Sequence, residues 1–145
     1  MKINILHVFA LLVALPLAAF AEQSVKFGDV EVHYNALVTA DLRPEVARSY
    51  NVDRSKNRGL VTIAVLKKKD VGAAVPVKAE IKVSTVNLSL QVGDVPMREI
   101  NERTAIYYIG SFMIGDQDSL KFVVEMKPVS GEPQKFEFSK KFYTN

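Results

Sequence analysis

A chain of 145 residues with 19 basic and 16 acidic side chains carries a net charge of only +3, and it contains no cysteine. A balance this mild argues against a nucleic-acid partner, and the missing thiols exclude disulfide stapling and thiol redox chemistry. Stability must therefore come from a hydrophobic core, which a chain of this length can build as one domain.

The first residues read as a processing signal. Met1-Lys2 is a short basic start, Ile3 to Phe20 is mostly apolar, and Ala19-Phe20-Ala21 before Glu22 has the small-x-small pattern of an export cleavage site. Residues 1–21 are read as a secretory signal and residues 22–145 as a single domain. A membrane anchor is the rival reading, but the run is short for a span of roughly 20 residues and Pro16 lies near its end. Cleavage after Ala21 leaves 124 residues with 18 basic and 16 acidic side chains. The expected address is periplasmic or secreted, with no stable membrane insertion after processing.

Glu22 to Phe27 reads as a lead-in and Gly28-Asp29 as a turn. From Val30 to Val38 the residues alternate: Val30, Val32, Tyr34, Ala36 and Val38 share one face, and Glu31, His33 and Asn35 the other, with Leu37 as the exception. That is a half-buried strand. Ala40 to Val52 breaks the period, and Pro44 with Glu45 behind it predicts one or two helical turns that cross between sheets. Val46 and Tyr50, four apart, share one side of them.

Leu60 to Leu66 is apolar on both parities, so it predicts a central strand buried on both faces. The charged segment Lys67 to Pro76 is a turn. Val77 to Thr85 alternates cleanly, Leu88 to Val92 continues as strand or bend, Gly93-Asp94 turns, and Pro96 places Val95 to Ile100 at an edge. Thr104 to Ile114 is again apolar on both parities and predicts a second central strand. Gly115 to Asp118 reverses the chain, Leu120 to Met126 alternates, and Phe136, Phe138 and Phe142 close the core. The whole predicts an all-β fold, an immunoglobulin-like β-sandwich of seven or eight antiparallel strands with one short helical crossover. A membrane barrel is the structural rival. Two strands without a polar face and Lys140 among the inward phenylalanines weigh against it.

Six segments together carry a resemblance: Glu31-Val-His-Tyr-Asn-Ala36, Leu42-Arg-Pro-Glu-Val-Ala47, Arg54-Ser-Lys-Asn-Arg-Gly-Leu60, Arg98-Glu99-Ile100, Ala105-Ile-Tyr-Tyr-Ile109 and Lys141-Phe-Tyr143. As an ordered set they resemble a domain-of-unknown-function family of short exported proteins of Gram-negative bacteria. The resemblance spans the processed chain and implies a periplasmic or secreted address. It supplies no catalytic residue.

Candidate chemistry is sparse. His33 is the only histidine after cleavage, so two imidazoles from one chain cannot share a metal. A hydrolase could pair His33 with Ser24, Ser49 or Ser55, but no Gly-x-Ser-x-Gly elbow is present. Asp116 and Asp118 are too few ligands for a calcium loop. Met97, Met113 and Met126 lack the clustering a monovalent copper site needs. The remaining signal is cationic. If Asp53 to Gly59 is extended, Arg54, Lys56 and Arg58 project on one side at steps of about 6.6 Å, a plausible anion contact. The competing role is to solvate the approach to a very apolar strand. Candidate binding residues are thus Arg54, Lys56, Arg58, His33 and Asn35, with no cofactor called for.

These features favour an exported, non-enzymatic interaction module, an envelope accessory or assembly factor whose partner is an envelope protein or an anionic ligand. The alternatives are a small-ligand or metal-binding periplasmic carrier and a hydrolase using His33.

Overall fold

Ten strands and one short helix follow in a computed structural model that describes residues 23–144. The expected signal segment 1–21 and the expected mature N-terminus at Glu22 lie outside those residues. The strands are β1 (Gln23–Phe27), β2 (Val30–Val38), β3 (Arg58–Lys67), β4 (Val75–Pro76), β5 (Ala79–Val86), β6 (Val92–Val95), β7 (Arg98–Asn101), β8 (Ile106–Met113), β9 (Ser119–Pro128) and β10 (Gln134–Lys141). A 3-10 turn (Thr39–Asp41) and helix α1 (Pro44–Ser49) lie between β2 and β3. Every pairing is antiparallel. One sheet runs β1-β2-β3-β8-β7 with β4 beside the end of β3, and the other runs β10-β9-β5-β6. The expected sandwich is the observed architecture, with more strands than predicted.

The doubly apolar reading of β3 has a direct structural cause. Its odd residues, Val61, Ile63 and Val65, face the second sheet and join Val32, Phe122, Val124 and Met126 in the main core. Its even residue Leu60 faces the other way, joining Leu37, Leu42, Ala47 and Ile109 in a second cluster under α1. Leu37, the exception to the alternation of β2, is thereby explained. Pro44 sits at the start of α1 as predicted, and Val46 and Tyr50 both pack on this second cluster. Phe138 stacks on Phe122 with centroids 4.7 Å apart, and Tyr34 lies 4.5 Å from Phe138. Ile63, Tyr108 and Phe122 are buried, whereas Ile81 and Phe138 are only partly so.

Two local readings need correction. Gln23 to Phe27 is a strand rather than a lead-in, because β2 offers it a full register from Val30 to Tyr34. Gly93-Asp94 lies inside β6, opposite Ser84 and Thr85, and the reversal falls earlier, at residues 87–91. The chain then changes sheet at Pro96, between β6 and β7. Gly110 of β8 makes that corner possible: a Cβ there would sit 2.5 Å from Met97 Sδ and 2.8 Å from the Pro96 carbonyl oxygen. Lys140 keeps the inward parity assigned to it, and its ammonium donates to the Ala36 carbonyl. Among the described residues β1 pairs with β2 as far as Tyr34, and the lysine meets the strand two residues beyond that pair.

Candidate functional site

The predicted cations at 54–58 do not lie along an extended strand. Ser55 to Arg58 is a turn, with the Arg58 N–H bonded to the Ser55 carbonyl at 3.4 Å, so the one-sided arrangement fails. The loop is instead pinned from below. Thr39 is fully buried; its hydroxyl donates to the Ser55 carbonyl (3.1 Å) and accepts the Ser55 N–H (2.8 Å). The Ala40 N–H adds a bond to the Ser55 carbonyl at 3.2 Å, and Ile114 N–H bonds the Asn57 carbonyl at 3.0 Å. Arg54 donates to the Ala40 carbonyl at 2.7 Å, so its guanidinium braces the loop. Lys56 is exposed and Arg58 half-buried. Lys67, Lys68 and Lys69, at the far end of β3, are exposed as a solvated turn would be.

His33 and Asn35 lie on the outer face of the larger sheet, beyond the cover of α1. His33 stands opposite Ser24 on β1 and Ala64 on β3, and Ala64 in turn opposite Tyr107 on β8. Asn35 stands opposite Thr62. The Ser24 hydroxyl donates to Glu31 Oε1 at 2.6 Å, and His33 Nε2 lies 3.8 Å from the same oxygen. That hydroxyl bond holds the Glu31 carboxyl below the ordinary glutamate range, against a smaller opposing effect of burial, with the charges of His33 and Lys26 helping. Along β3, the six residue steps from Arg58 to Ala64 set His33 roughly 20 Å from the loop, and the four steps to Thr62 set Asn35 roughly 13 Å from it. The structure therefore does not join His33 and Asn35 to the cationic loop.

None of the three candidate serines is placed as a triad nucleophile. Ser24 gives its proton to a carboxylate instead of an imidazole, Ser49 donates to the Glu45 carbonyl (2.9 Å), and the Ser55 hydroxyl accepts the Asn57 N–H (3.1 Å). Asp118 accepts the Gly115 N–H and Asp116 accepts the Thr144 N–H, as turn carboxylates do. Met97 lies over Gly110, Met113 is exposed at the end of β8 and Met126 is in the core. Among the described residues no three His, Cys, Asp or Glu side chains are grouped to hold a metal.

The residue that sequence reasoning missed is Arg98. Its guanidinium donates to the Tyr50 carbonyl at the C-terminal end of α1, from β7 across the outer face. The Tyr50 hydroxyl in turn donates to Glu102 at 2.6 Å, and burial together with that carboxylate raises the tyrosine pKa far above its ordinary value. Separations of about fifty residues give no periodic signal. A depression of about 240 Å³, lined by Leu60, Pro96, Arg98, Ile109, Gly110 and Ser111, lies beside this clasp.

Fold and surface define a two-sheet antiparallel sandwich whose larger sheet carries a clasped crossover and a rigid cationic loop. Residues 24–145 match the model of a family described as a domain of unknown function, DUF4426, and the chain belongs to that family. The crystal structure of a DUF4426 family protein from Pseudomonas aeruginosa PAO1 is 30% identical, with a TM-score of 0.72 over 84% of this chain and 94% of that one. Copper-bound variant FetP from uropathogenic Escherichia coli strain F11 has a TM-score of 0.60 at 13% identity, covering 84% of this chain and 95% of that one. FetP as isolated after recombinant expression in the E. coli periplasm has a TM-score of 0.62 at 12% identity, over 86% and 97% of the two chains. At such identities the likeness to FetP is one of fold. No curated protein matches the sequence.

Proposed function

We propose that this chain is an exported, non-enzymatic interaction module of the cell envelope, which meets an anionic group on its partner through the loop 52–58. The observation that carries the reading is the Thr39 clamp. A fully buried hydroxyl holds both backbone groups of Ser55, and so fixes a loop that presents Lys56 and Arg58. Fixing a charged loop before contact removes ordering cost from binding and adds little to folding. The export signal read in residues 1–21 supports the periplasmic address, as does the periplasmic expression of FetP, whose fold is shared. The commitments of Ser24, Ser49 and Ser55 speak against a hydrolase.

The test replaces Lys56 and Arg58 by glutamine and compares partners crosslinked in living cells, at low and high salt. Thermal stability should change little, since Lys56 is exposed and Arg58 is only half-buried. Partner recovery should fall, and recovery by the wild type should drop as salt shortens the Debye length from about 10 Å at 0.1 M. Identical recovery from both proteins sinks the loop and favours pairing at a sheet edge.

A second reading, a metal carrier, has one observation in its favour: His33 and Glu31 approach each other on an accessible face of a fold that in FetP holds copper. Copper titration of wild type and His33→Ala decides it; equal affinity removes His33 from any such site.

A further inference from the structure

The connections of the sandwich divide between its two ends. Val38 lies opposite Gly59, Arg58 opposite Met113, Val86 opposite Lys121 and Lys141 opposite Ser119. The β2–β3 connection, the loop 87–91, the turn 114–118 and the chain after β10 therefore emerge together at one end. Seven large apolar side chains are exposed among the described residues, and five of them, Leu88, Leu90, Val92, Met113 and Tyr143, belong to this end. Leu88 is 84% and Leu90 81% exposed. So uneven a distribution marks a surface that something apolar covers.

The two leucines are held out by a braced loop. The Asn87 side chain accepts the N–H groups of Ser89 (3.0 Å) and Gln91 (2.9 Å) and donates to the Gln91 side chain (2.7 Å). Its backbone adds bonds to Gln91 and Leu90 at 3.1 and 3.0 Å. Neither leucine side chain takes part in this bracing. Leu90 also holds φ at +61°, a conformation that suits glycine or asparagine and strains a leucine. A strained, exposed leucine has its use outside the fold.

Below the loop lies a depression of about 490 Å³ in which Leu88 and Leu90 are joined by Lys121, Lys140 and Lys141, with no carboxylate in its lining. Lys140 is engaged by the Ala36 carbonyl. Lys121 is within 3.3 Å of Glu137, which stands further in on the sheet, and Lys141 lies 5.4 Å over the Tyr143 ring. Lys56 and Arg58 share this end. Of the carboxylates in the connections at this end, Asp41 and Asp53 are exposed, Glu45 accepts from the Arg43 guanidinium, and Asp116 and Asp118 accept backbone N–H groups. We propose that this end of the sandwich docks reversibly on an anionic lipid bilayer, with Leu88 and Leu90 entering the headgroup boundary and Lys121 and Lys141 meeting lipid phosphates. Separate aliphatic tips with lysines between them suit a fluid interface, whereas a protein partner would need a matching hole for each tip. A tyrosine beside a lysine suits headgroup depth. Two leucines and a few charges give a weak, salt-sensitive contact that stays peripheral. The proposal rests on the reading that this end meets an anionic group, and it names that group as lipid phosphate.

The processed protein, purified from the envelope fraction, is sedimented with vesicles of phosphatidylglycerol and phosphatidylethanolamine and with vesicles of phosphatidylcholine. Binding is expected on the first, weaker on the second, and falling with salt. Leu88→Ser with Leu90→Asn should lower the partition coefficient by at least about tenfold. Its melting temperature should hold or rise, because asparagine tolerates the left-handed backbone. Lys121→Gln with Lys141→Gln should abolish the preference for anionic lipid. Binding to neither vesicle, or binding that the leucine variant leaves intact, overturns the proposal. Should vesicle binding fail while Lys56→Gln with Arg58→Gln still loses its crosslinked partner, the loop reading stands with a protein as its occupant.

Discussion

The two sheets of this sandwich turn very different outer faces away from the core. That of the smaller sheet is a lattice of exposed ion pairs, among them Lys82 with Glu80 at 3.6 Å, Lys121 with Glu137 at 3.3 Å and Lys135 with Glu125 at 3.9 Å. At one end of the larger sheet, Leu37, Leu60 and Ile109 lie instead beneath Leu42 and Ala47 of the crossover. A two-layer sandwich requires one apolar face per sheet, so a strand apolar on both announces a third layer. Here the third layer is the α1 crossover, and its clasps also hold the cationic loop in place.

The comparison breaks most severely if the inner faces are misassigned. Phe122→Ala, in the core of the smaller sheet, should cost about 3–5 kcal/mol in chemical denaturation, through lost transfer energy and residual cavity. Its neighbour Lys121, on the wet face, should cost no more than about 0.5 kcal/mol when replaced by alanine. Equal costs would mean that β9 is one residue out of register.

Leu60→Ala tests the third layer. It removes the centre of the second cluster and should destabilise by about 2–5 kcal/mol, although Leu60 points away from the sandwich interior. A cost near that of Lys121→Ala would reduce α1 to a loose connection.

A smaller effect is expected at the clasp. Arg98→Ala leaves the carbonyls at the end of α1 without their guanidinium partner, and the site is open to water, so the global cost should be roughly 1 kcal/mol. Opening should be local, and hydrogen exchange at Val52 and Tyr50 should accelerate far more than exchange in β9. Uniform acceleration in both places would show that the crossover does not open by itself.

Much of this contrast is legible in the sequence, for identifiable reasons. The alternation of β9, the double apolarity of β3 and Pro44 at the start of α1 are local signals, each set by strand or helix geometry. Leu37, as an exception within a clean alternation, already marks the covered patch. The readings that failed depend on partners distant in sequence. Gln23–Phe27 becomes a strand only because β2 is there to pair with it, and Gly93-Asp94 is held extended by β5. The one-sided row of Arg54, Lys56 and Arg58 assumed an extended chain, which the Thr39 clamp sixteen residues away replaces with a turn. Arg98 has no periodic signature because its partner is a carbonyl forty-eight residues earlier.

The smallest effect concerns the part of the larger sheet that α1 leaves uncovered. There Glu31 is held by the Ser24 hydroxyl, a partner unlike the ammonium groups that face Glu125 and Glu137 across the molecule. Its carboxyl is lowered from the ordinary value of 4.5, so the contribution to stability is present above that value and is lost as pH falls through the depressed one. A carbon-detected NMR titration should find Glu31 ionising below 4.5, and Ser24→Ala should bring it most of the way back, with His33→Gln a lesser correction because the hydroxyl bond is the larger cause. Salt discriminates the mechanisms, since a hydrogen bond from a neutral hydroxyl has no charge to screen whereas the exposed ion pairs of the smaller sheet do. A Glu31 titration that returns to its ordinary position in high salt would assign the effect to His33 and Lys26, and would make this face electrostatically equivalent to the other.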